Sequence, residues 1–534
     1  MSLFYIIIMV MTGIYMTAAL KHDIQMLQQN SYRLDRFWRW LKPNFIDAWK
    51  LADIALLLLL MAPSLMAPAA SALITGIAAV VMTIMMLRQK YKKPLVFTPR
   101  VKRIYGVAGI IVIGCGVAAA LGLWNVNPQE GFYSGKNIAL AIMMLICIFS
   151  WLPVMLAVIL LTPVEKSINA RYRNEAVEIL RSMPDLKIIG ITGSYGKTST
   201  KHYLHRILSE SFDVLMTPGS YNTPMGVIRT IREMMKPYNQ VFICEMGAKQ
   251  KGDIKEICDM VNPQMGIITA VGPMHLESFK SMENVQATKF ELADALPADG
   301  LAVVNNDFEY CASRKVSNTN CVRYGVADHK DCDIWAEEIR YTPEGTTFRV
   351  KDRNGLDLEL QTRLVGECNI SNLVAAIAIA LKLGVPEEKI RTAVGRIEQV
   401  EHRLNMKRTA GGVTIIDDAF NSNPTGARMA VDVLSHFKDQ GKRIIVTPGM
   451  IELGERQYEL NQELGRHIGK NVDVAIVVGQ YNRDALSSGI RESGLPGESL
   501  HEVGSFAEAQ KLLSGIMKHG DTVLYENDLP DTFK

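Results

Sequence analysis

The sequence predicts a helical membrane domain of about five spans followed by two α/β domains, the first with a phosphate-binding loop and the second Rossmann-like. Three observations predict this fold class. The first 161 residues are dominated by long apolar stretches, short apolar runs alternate with helical patterns from Lys187 onward, and the same alternation starts again at Val413. A length of 534 residues is enough for three or four domains of ~150 residues each.

The amino-acid composition argues against some classes of function. The net charge of +3 gives no strong overall field, so we expect no nucleic-acid partner. The eight cysteines contain no C-x-x-C pair, which argues against a zinc ribbon. Their scatter is typical of a reducing cytosol rather than of a disulfide framework.

The first predicted span is residues 2–20. This stretch carries no charged side chain and is long enough to cross a ~30 Å hydrocarbon core. A cleaved signal peptide is the rival interpretation. It is weaker, because no basic residue precedes the run and no clear small-residue cleavage site follows it.

Four more spans are predicted before residue 162. The apolar stretch 51–87 is too long for one crossing, and prolines interrupt it, which indicates a hairpin of two spans. Residues 104–124 predict a fourth span. Residues 138–161 predict a fifth, with Pro153 as a kink.

The loops between the spans predict their orientation. Loop 88–103 holds seven basic residues and no acid, loop 21–50 holds six against three Asp, and loop 125–136 holds one of each sign. Because cytoplasmic loops carry the excess of Lys and Arg, the first two loops are expected inside. This predicts a multi-pass inner-membrane protein whose N-terminus lies outside and whose chain after Leu161 lies in the cytoplasm, where ATP is.

Four segments follow from these patterns. Residues 1–162 are the transmembrane domain, and residues 163–186 read as an amphipathic juxtamembrane linker helix. We expect a central ATP-binding domain over 187–398 and a C-terminal domain over 399–534.

The stretch Lys187–Lys201 (KIIGITGSYGKTSTK) has the layout of a phosphate-binding loop: an apolar strand, a glycine turn, Lys-Thr and a helix. Backbone N–H groups of such a turn close around phosphate oxygens, the lysine adds charge and the threonine hydroxyl can reach Mg²⁺. Ile191 replaces the first glycine of the full pattern, so a glycine turn with a solvated lysine stays the alternative. The residues expected to bind nucleotide here are Gly193, Ser194, Tyr195, Gly196, Lys197, Thr198 and Ser199.

Three further polar residues stand out. Glu245 directly follows the buried strand 241–244, where open α/β sheets carry their sites, and a carboxylate there can hold Mg²⁺ opposite Thr198. His275 follows another strand, although a lone histidine is more often structural or solvated than a ligand. Lys289 lies in a helical pattern (QATKFELAD), which by itself indicates a solvated lysine.

A longer run of motifs resembles the Mur ligases, most of all the type that adds D-alanyl-D-alanine to a UDP-muramoyl-tripeptide. These motifs occur in the family's order from about 187 to 470. They are ITGSYGKTSTK, GSYNTPMGV, FICEMGAKQKGDI, ITAVGPMHLESF, ATKFELADALPADGLAVVNND, GECNISNLVAAIAIALKLGV, HRLN, TIIDDAFNSNPTGARMAVDVL and GMIELGERQYELNQELGRHI.

The resemblance implies ATP and Mg²⁺ as cofactors and gives roles to individual residues. Thr198, Glu245 and His275 would be Mg²⁺ positions, and Lys289 would be a lysine that, once carbamylated, ligates a second Mg²⁺. Lys197 and Arg403 would neutralise charge on the transferred phosphoryl group. The remaining positions implied at the nucleotide are Asn305, Asn369, Asn372, Asp418, Asn421 and Asn423.

The implied reaction has two steps. An acceptor carboxylate attacks the γ-phosphate to give an acyl phosphate and ADP, and an amine then attacks the acyl carbon as phosphate leaves. Since five spans stand where the family has a UDP-binding domain, we expect the acceptor to be an envelope or peptidoglycan precursor presented at the inner leaflet, such as a lipid-linked one. The second substrate would be an amino acid or a dipeptide.

The chain departs from the family pattern at four places. Cys368 stands where a histidine is usual, Phe420 replaces a tyrosine, and the aspartate of the G-D-M-x-E-L-G motif is replaced, leaving Pro448-Gly449-Met450. Residues 526–530 (ENDLP) replace a K-G-S-R motif that touches the amino-acid substrate in the family, so the amino acid added is left open.

Two alternatives are kept. One is a polyglutamate-forming ligase of the folate or capsule type, against which the D-D-x-[FY]-N-x-N-P stretch argues. The other is a non-catalytic, nucleotide-binding membrane scaffold, which would not need Lys197, Glu245, His275 and Lys289 together. The oligomeric state does not follow from the sequence.

Overall fold

A computed structural model describes residues 2–61, 67–89, 93–124, 126, 135–274, 276–326, 329–342, 345–400, 404–419, 422–437 and 441–529. Its internal contacts divide the chain into two units, one up to Asn169 and one from Ala170 to Leu529. The two units are described separately below.

The first unit is entirely helical. Its helices are α1 Ser2–Gln29, α2 Leu34–Leu41, α3 Ala48–Leu60, α4 Pro68–Arg88, α5 Pro99–Leu123, α6 Gly135–Ile148 and α7 Trp151–Arg181, the last of which runs on into the second unit. Four of them, α1, α4, α5 and α7, are long and apolar enough to cross a membrane. The core is the interior of the bundle, where α1 packs against α4, α5 and α6.

The predicted spans correspond to helices with one exception. Where two spans were expected over 51–87 the described residues form two helices, α3 and α4, of which α4 is long and apolar enough to cross a membrane and α3 is not, and Pro68 begins α4, where its missing N–H costs nothing. The expectation of one continuous helix over 138–161 is wrong, because the chain leaves helical geometry at residues 149–150. Lys50 Nζ donates to Cys147 O at 2.6 Å and to Ser150 Oγ at 2.7 Å, which satisfies the end of α6 and lets the chain turn.

The second unit begins with a nine-stranded sheet in the order β2-β3-β1-β4-β5-β6-β7-β8-β9. Strands β1 to β7 pair in parallel, while β7, β8 and β9 form an antiparallel meander. The strands are β1 Lys187–Thr192, β2 Val214–Met216, β3 Val241–Glu245, β4 Met265–Ile268, β5 Leu301–Asn305, β6 Asn320–Gly325, β7 Ile334–Thr342, β8 Gly345–Asp352 and β9 Asp357–Thr362.

Helices cover both faces of this sheet, as the alternating pattern predicts. They are α8 Lys197–Leu208, α9 Pro224–Met234, α10 Asp253–Val261, α11 Leu276–Phe279, α12 Met282–Asp294, α13 Glu309–Ala312, α14 Glu367–Lys382 and α15 Glu387–Gly395. The apolar α14 packs along α8 and is buried on almost every side, which explains why its sequence shows no polar face.

The chain then forms a six-stranded sheet in the order β10-β11-β15-β12-β13-β14, in which β10 alone is antiparallel to its neighbour. Its strands are β10 Asn405–Arg408, β11 Thr414–Asp418, β12 Arg443–Thr447, β13 Val474–Val478, β14 Leu500–Val503 and β15 Thr522–Glu526, and its helices are α16 Pro424–Ser435, α17 Gln457–Asn471, α18 Arg483–Glu492 and α19 Phe506–Ile516. The alternation of strands and helices expected from Val413 onward is present, and β10, which lies before Val413, was not expected.

Candidate active site

The glycine turn between β1 and α8 has the backbone geometry of a phosphate-binding loop. Gly196 has φ 82°, a left-handed conformation that favours glycine, and it immediately precedes the first residue of α8. A Cβ on Gly196 would approach Asn372 Oδ1 to 2.5 Å, so the position is closed to larger residues. Ser194 anchors the turn to the chain after β4, since its N–H donates to Ala270 O at 2.7 Å and its hydroxyl to Gly272 O at 3.0 Å.

Lys197 folds back over this turn. Its ammonium donates to Gly193 O at 2.7 Å and to Ser194 O at 3.3 Å, so the positive charge lies at the mouth of the loop. Ser199 lies in the first turn of α8 and is buried. A cation beside the N-terminus of a helix, with backbone N–H groups around it, is a site for phosphate oxygens.

Glu245 lies directly beside this loop. It ends β3, pairs in register with Ile191 of β1, and is 1% exposed. Both of its carboxylate oxygens lie 3.2 Å from Thr198 Oγ1. The sequence therefore correctly predicted that Glu245 and Thr198 lie opposite each other.

Two residues that the sequence did not single out hold the Glu245 carboxylate. Lys201 Nζ lies 2.9 Å from Oε2 in an ion pair whose side chains are 0% and 1% exposed, and Asn222 Nδ2 donates to Oε1 at 3.0 Å. Burial would raise the pKa of Glu245, but the charges of Lys201 and Lys197 outweigh it and hold the pKa below its usual range. The only sequence signal for Lys201 is its position four residues after Lys197, on the same face of α8.

The oxygen atoms of Thr198 and Glu245 are suitable ligands for Mg²⁺. The ion prefers hard oxygen ligands and is held in nucleotide sites by one or two protein groups together with phosphate oxygens and water. Thr198 and Glu245 supply such groups at the mouth of the loop. Among the described residues no cluster of three or more His, Cys, Asp or Glu side chains has metal-binding geometry.

Lys289 is buried in α12 at 3% exposure, so the expectation of a solvated helix lysine is wrong. Burial and then the charge of Lys197 lower the pKa of Lys289 to about 7, against the opposite influence of Asp253 and Glu291. Its Nζ lies 5.9 Å from the ring centroid of Phe279. A large neutral fraction near pH 7 makes this amine able to react with carbon dioxide, which is what carbamylation requires.

The predicted asparagines of the central domain join α14 to its surroundings. Asn369 Oδ1 accepts from Tyr203 on α8 at 2.8 Å, and Asn372 Oδ1 accepts from Thr200 at 3.1 Å. Asn305 Nδ2 donates to Thr269 O at 2.9 Å and to Ser371 on α14 at 3.1 Å. Of these residues Asn372 lies nearest the phosphate loop, because its Oδ1 would be 2.5 Å from a Cβ built on Gly196.

The C-terminal sheet also brings residues to the loop. Asn423 caps α16 by accepting from Gly426 N at 2.8 Å, and Asp418 accepts from Leu404 N at 3.1 Å. In the first turn of α16, Thr425 Oγ1 accepts from the Tyr195 hydroxyl at 3.0 Å, which connects the two sheets at the phosphate loop. The predicted residues His275, Arg403 and Asn421 lie outside the described residues.

Glu526 is a further buried acid that the sequence did not single out as a site residue. It ends β15, opposite Asp418 in register, and is 1% exposed. It accepts hydrogen bonds from Ser422 and, at 2.5 Å, from Thr447. Burial raises the pKa of Glu526 to about 7, Asp418 adds to this, and the two hydrogen bonds oppose it.

Comparison with known proteins agrees with this geometry. Residues 191–380 match the family model of the Mur ligase middle domain, and residues 402–525 match that of the Mur ligase glutamate ligase domain. The chain is 28% identical over 345 residues to the UDP-N-acetylmuramoyl-tripeptide–D-alanyl-D-alanine ligase of Bacillus subtilis, covering 64% of this chain and 72% of that protein. It is 32% identical over 306 residues to the ligase of the same name from Mycobacterium tuberculosis H37Rv, covering 55% of this chain and 58%, less than two thirds, of that protein.

Solved structures give the same result. The fold is similar to that of MurF from Acinetobacter baumannii, with a TM-score of 0.61 and 27% identity over 67% of this chain and 77% of that one. It is also similar to MurF from Thermotoga maritima in complex with ADP, with a TM-score of 0.59 and 25% identity over 67% of this chain and 80% of that one.

Proposed function

The chain belongs to the Mur ligase family, two of whose domain models together match more than half of it, and we propose that it is a membrane-anchored, ATP-dependent ligase that forms an amide bond in envelope-precursor synthesis. The observation that carries this proposal is the buried Glu245 held against Thr198 beneath a lysine-bearing glycine turn. A scaffold that only binds nucleotide would have no need of a buried, reactive Lys289 in addition to this pair.

Nucleotide binding rests on the loop and the neighbouring ends of the strands. Lys197 and the N-terminus of α8 bind the phosphates, and Thr198 and Glu245 would hold Mg²⁺, which supplies charge neutralisation on the transferred phosphoryl group. A relative of similar fold, MurF from Thermotoga maritima, was solved with ADP. His275 and Arg403 keep their predicted roles at the metal and the γ-phosphate.

The proposed chemistry has two balanced steps. A carboxylate oxygen of the acceptor bonds to the γ-phosphorus and the bond to the β-phosphate oxygen breaks, which gives an acyl phosphate and ADP. The nitrogen of the amine substrate then bonds to the acyl carbon, phosphate leaves with the electron pair of the C–O bond, and the amine loses a proton. Lys197 and Arg403 stabilise the charge that develops on the phosphoryl oxygens. Lys289 in its carbamylated form would hold a second metal ion.

The acceptor is proposed to be a lipid-linked or otherwise membrane-presented anionic envelope precursor, with a D-alanyl dipeptide or an amino acid as the amine. Four helices of the first unit are long and apolar enough to cross a membrane. The related ligases from Bacillus subtilis and Mycobacterium tuberculosis are named for a UDP-linked tripeptide acceptor. Their names support a peptide-bearing acceptor, but they do not support a lipid in place of UDP.

The test uses the full chain in lipid nanodiscs, with phosphate release and mass spectrometry of the product as readouts. Wild type is expected to release phosphate when both a lipid-linked precursor and an amine are present, and Lys197→Ala and Lys289→Ala are expected to lose more than 100-fold of this rate. Lys255→Ala, at an exposed lysine of α10, is the matched control and should keep it.

Each outcome decides one part of the proposal. No turnover with any combination of acceptor and amine would favour the scaffold. Turnover with soluble UDP-tripeptide as efficient as that of an ordinary MurF would overturn the membrane-presented acceptor. Repeated addition of glutamate would favour the polyglutamate alternative.

A further inference from the structure

The helical bundle of the first unit has two ends that its contacts identify. At the first end, the Tyr5 hydroxyl near the start of α1 donates to Asn137 Oδ1 near the start of α6 at 3.0 Å, and Asn137 Nδ2 donates to Ser71 Oγ near the start of α4 at 3.1 Å. Lys136 Nζ lies 5.0 Å from the ring centroid of Trp124, just after α5. Three helix beginnings and one helix end therefore lie at this end.

The second end contains the opposite termini. Gln25 in the last turns of α1 donates to Lys93 O at 3.0 Å, and Val96 N, just before α5, donates to Gln28 Oε1 at 3.0 Å. Ser150, just after α6, donates to Asp23 of α1 at 2.5 Å. The described parts of the basic loops, residues 21–50, 88–89 and 93–103, belong to this end.

These contacts fix how often the chain passes between the two ends. It starts at the first end, reaches the second along α1, is back at the first end where α4 begins, returns to the second along α4, reaches the first along α5, and comes back to the second along α6. That makes five passages, and the chain is at the second end when α7 begins. A sixth passage along α7 would take it to the first end.

The contacts of α7 show that it makes no such passage. Its first residue, Trp151, lies 5.3 Å from Trp38 of α2 between ring centroids. Fourteen residues later, Glu165 accepts from Arg103 Nε at 2.7 Å and lies 3.9 Å from Arg100 Nε, both in the first two turns of α5. The helix rises ~21 Å between these points, and both points lie at the second end.

The side chains of this half of α7 divide into two faces. Val154, Ala157 and Val158 are buried against the bundle. The opposite face is apolar and exposed, at helical spacing, and consists of Leu152, Leu156, Ile159, Leu160 and Val164. A stripe of this kind needs an apolar environment.

We propose that residues 151–165 form an interfacial helix, which lies in the leaflet at the basic end of the bundle, binds phospholipid acyl chains through the 152–164 stripe and does not cross the membrane. The length and hydropathy of α7 alone would make it a span. The ion pairs of Glu165 with Arg100 and Arg103 place the polar end of the stripe at the level of the lipid headgroups. This proposal requires that the first unit is embedded in a membrane, as the proposed function states, and does not require the proposed ligase reaction.

The arrangement explains a feature of the sequence. The apolar run that ends at Leu161 is followed after three residues by Glu165 and Lys166 without a break in the helix. A crossing helix would carry these charges to the far side of the membrane. An interfacial helix leaves them on the same side as the basic loops, in agreement with the positive-inside pattern.

The first experiment measures depth. Spin labels are attached to single cysteines introduced at Ile159, at Ile113 in the middle of α5 and at the exposed Tyr238 of the second unit. All three variants carry Cys115→Ala, which removes the exposed native cysteine, and the protein with Cys115→Ala alone serves as the blank. Oxygen and nickel-chelate accessibility in phospholipid nanodiscs should place Ile159 about 5–10 Å below the headgroup phosphates, between the deep Ile113 and the aqueous Tyr238. A label at Ile159 as deep as Ile113, or as accessible to water as Tyr238, would overturn the proposal.

The second experiment measures sidedness in the full chain. Cysteines at Gln89, Val126 and Asn174 are treated in intact cells with a membrane-impermeant maleimide. Labelling is expected at Val126 alone, with Gln89 and Asn174 labelled only after permeabilisation. Labelling of Asn174 together with Val126 would show that α7 crosses. Neither experiment involves turnover, so a failure of the proposed ligase activity leaves both readouts interpretable.

Discussion

The buried ion pair between Lys201 and Glu245 gives the sharpest prediction. Lys201→Met keeps the length of the side chain and removes its charge. The two side chains are 0% and 1% exposed, and the ammonium also donates to Gly219 O at 2.6 Å. Because one partner of a fully buried pair is left without compensation, we expect the free energy of unfolding to fall by about 3–5 kcal/mol at pH 8.

The pH dependence separates charge from packing. Lys201 is the strongest of the groups that lower the pKa of Glu245, so in the variant the effect of burial is offset only by Lys197 and Asn222 and that pKa rises. Protonation of Glu245 then removes the uncompensated charge, and the stability deficit should shrink as the pH falls from 8 to 5. In wild type the sign is opposite: the depressed pKa contributes stability that is present at neutral pH and lost in acid.

The assay is denaturant unfolding of the full chain in detergent, combined with Mg²⁺ titrations of fluorescent ATP-analogue binding. We expect the Mg²⁺ needed for half-maximal binding to rise at least tenfold in Lys201→Met and to be largely restored in Lys201→Arg. Lys255→Met, at an exposed ion pair with Asp259, serves as control and should change neither quantity. A Lys201→Met protein with wild-type unfolding at pH 8 and an unchanged Mg²⁺ requirement would refute the reasoning.

Three further predictions concern the same unit. Gly196→Ala should weaken ATP-analogue binding at least tenfold in a fluorescence titration, because the left-handed backbone and the approach to Asn372 leave no room for a Cβ, and an unchanged affinity would contradict the loop geometry. Since the pKa of Lys289 is lowered to about 7, ¹³C-bicarbonate NMR should show a carbamate signal that grows from pH 6 to pH 8 and is missing in Lys289→Met; its absence in wild type would contradict the proposed modification. The pKa of Glu526 is raised to about 7, so its contribution to stability is complete below pH ~4.3 and is lost as the pH rises towards 7. In Glu526→Gln the melting temperature should therefore change less with pH in this window than in wild type. An unchanged slope would show that other groups cause the pH dependence.

Much of the fold could be predicted because it depends on short-range pattern. The apolar runs at 188–191 and 241–244 each became a strand that pairs in parallel with its neighbours, and the alternation from Val413 became β11 and the elements after it. The residues just after such strands are brought to one edge by the topology itself. Glu245 could therefore be placed opposite Thr198 without knowledge of any tertiary contact.

The environment of single side chains could not be predicted in this way. Lys289 has neighbours in sequence typical of an exposed helix position, and only the packing of α12 against the sheet buries it. Strand β10 was missed because its sequence, Asn405–Arg408, has the polarity of a loop and is ordered by antiparallel pairing with β11. In both cases contacts with another element outweigh local propensity.

The break between α6 and α7 shows how far such a partner can lie. The sequence from Ile138 to Leu161 carries no charge, is apolar apart from Ser150, and contains a proline only at Pro153, in the first turn of α7, where proline does not disturb a helix. Local pattern therefore predicts one uninterrupted span. The helix ends instead at Ile148, because Lys50, about 100 residues earlier, donates to the carbonyl of Cys147 and to Ser150. A lysine that satisfies a helix end inside an apolar bundle stabilises a turn that would otherwise leave carbonyl groups without partners. Whether an apolar stretch crosses a membrane or lies along it thus depends on polar partners elsewhere in the chain, and length and hydropathy alone do not decide it.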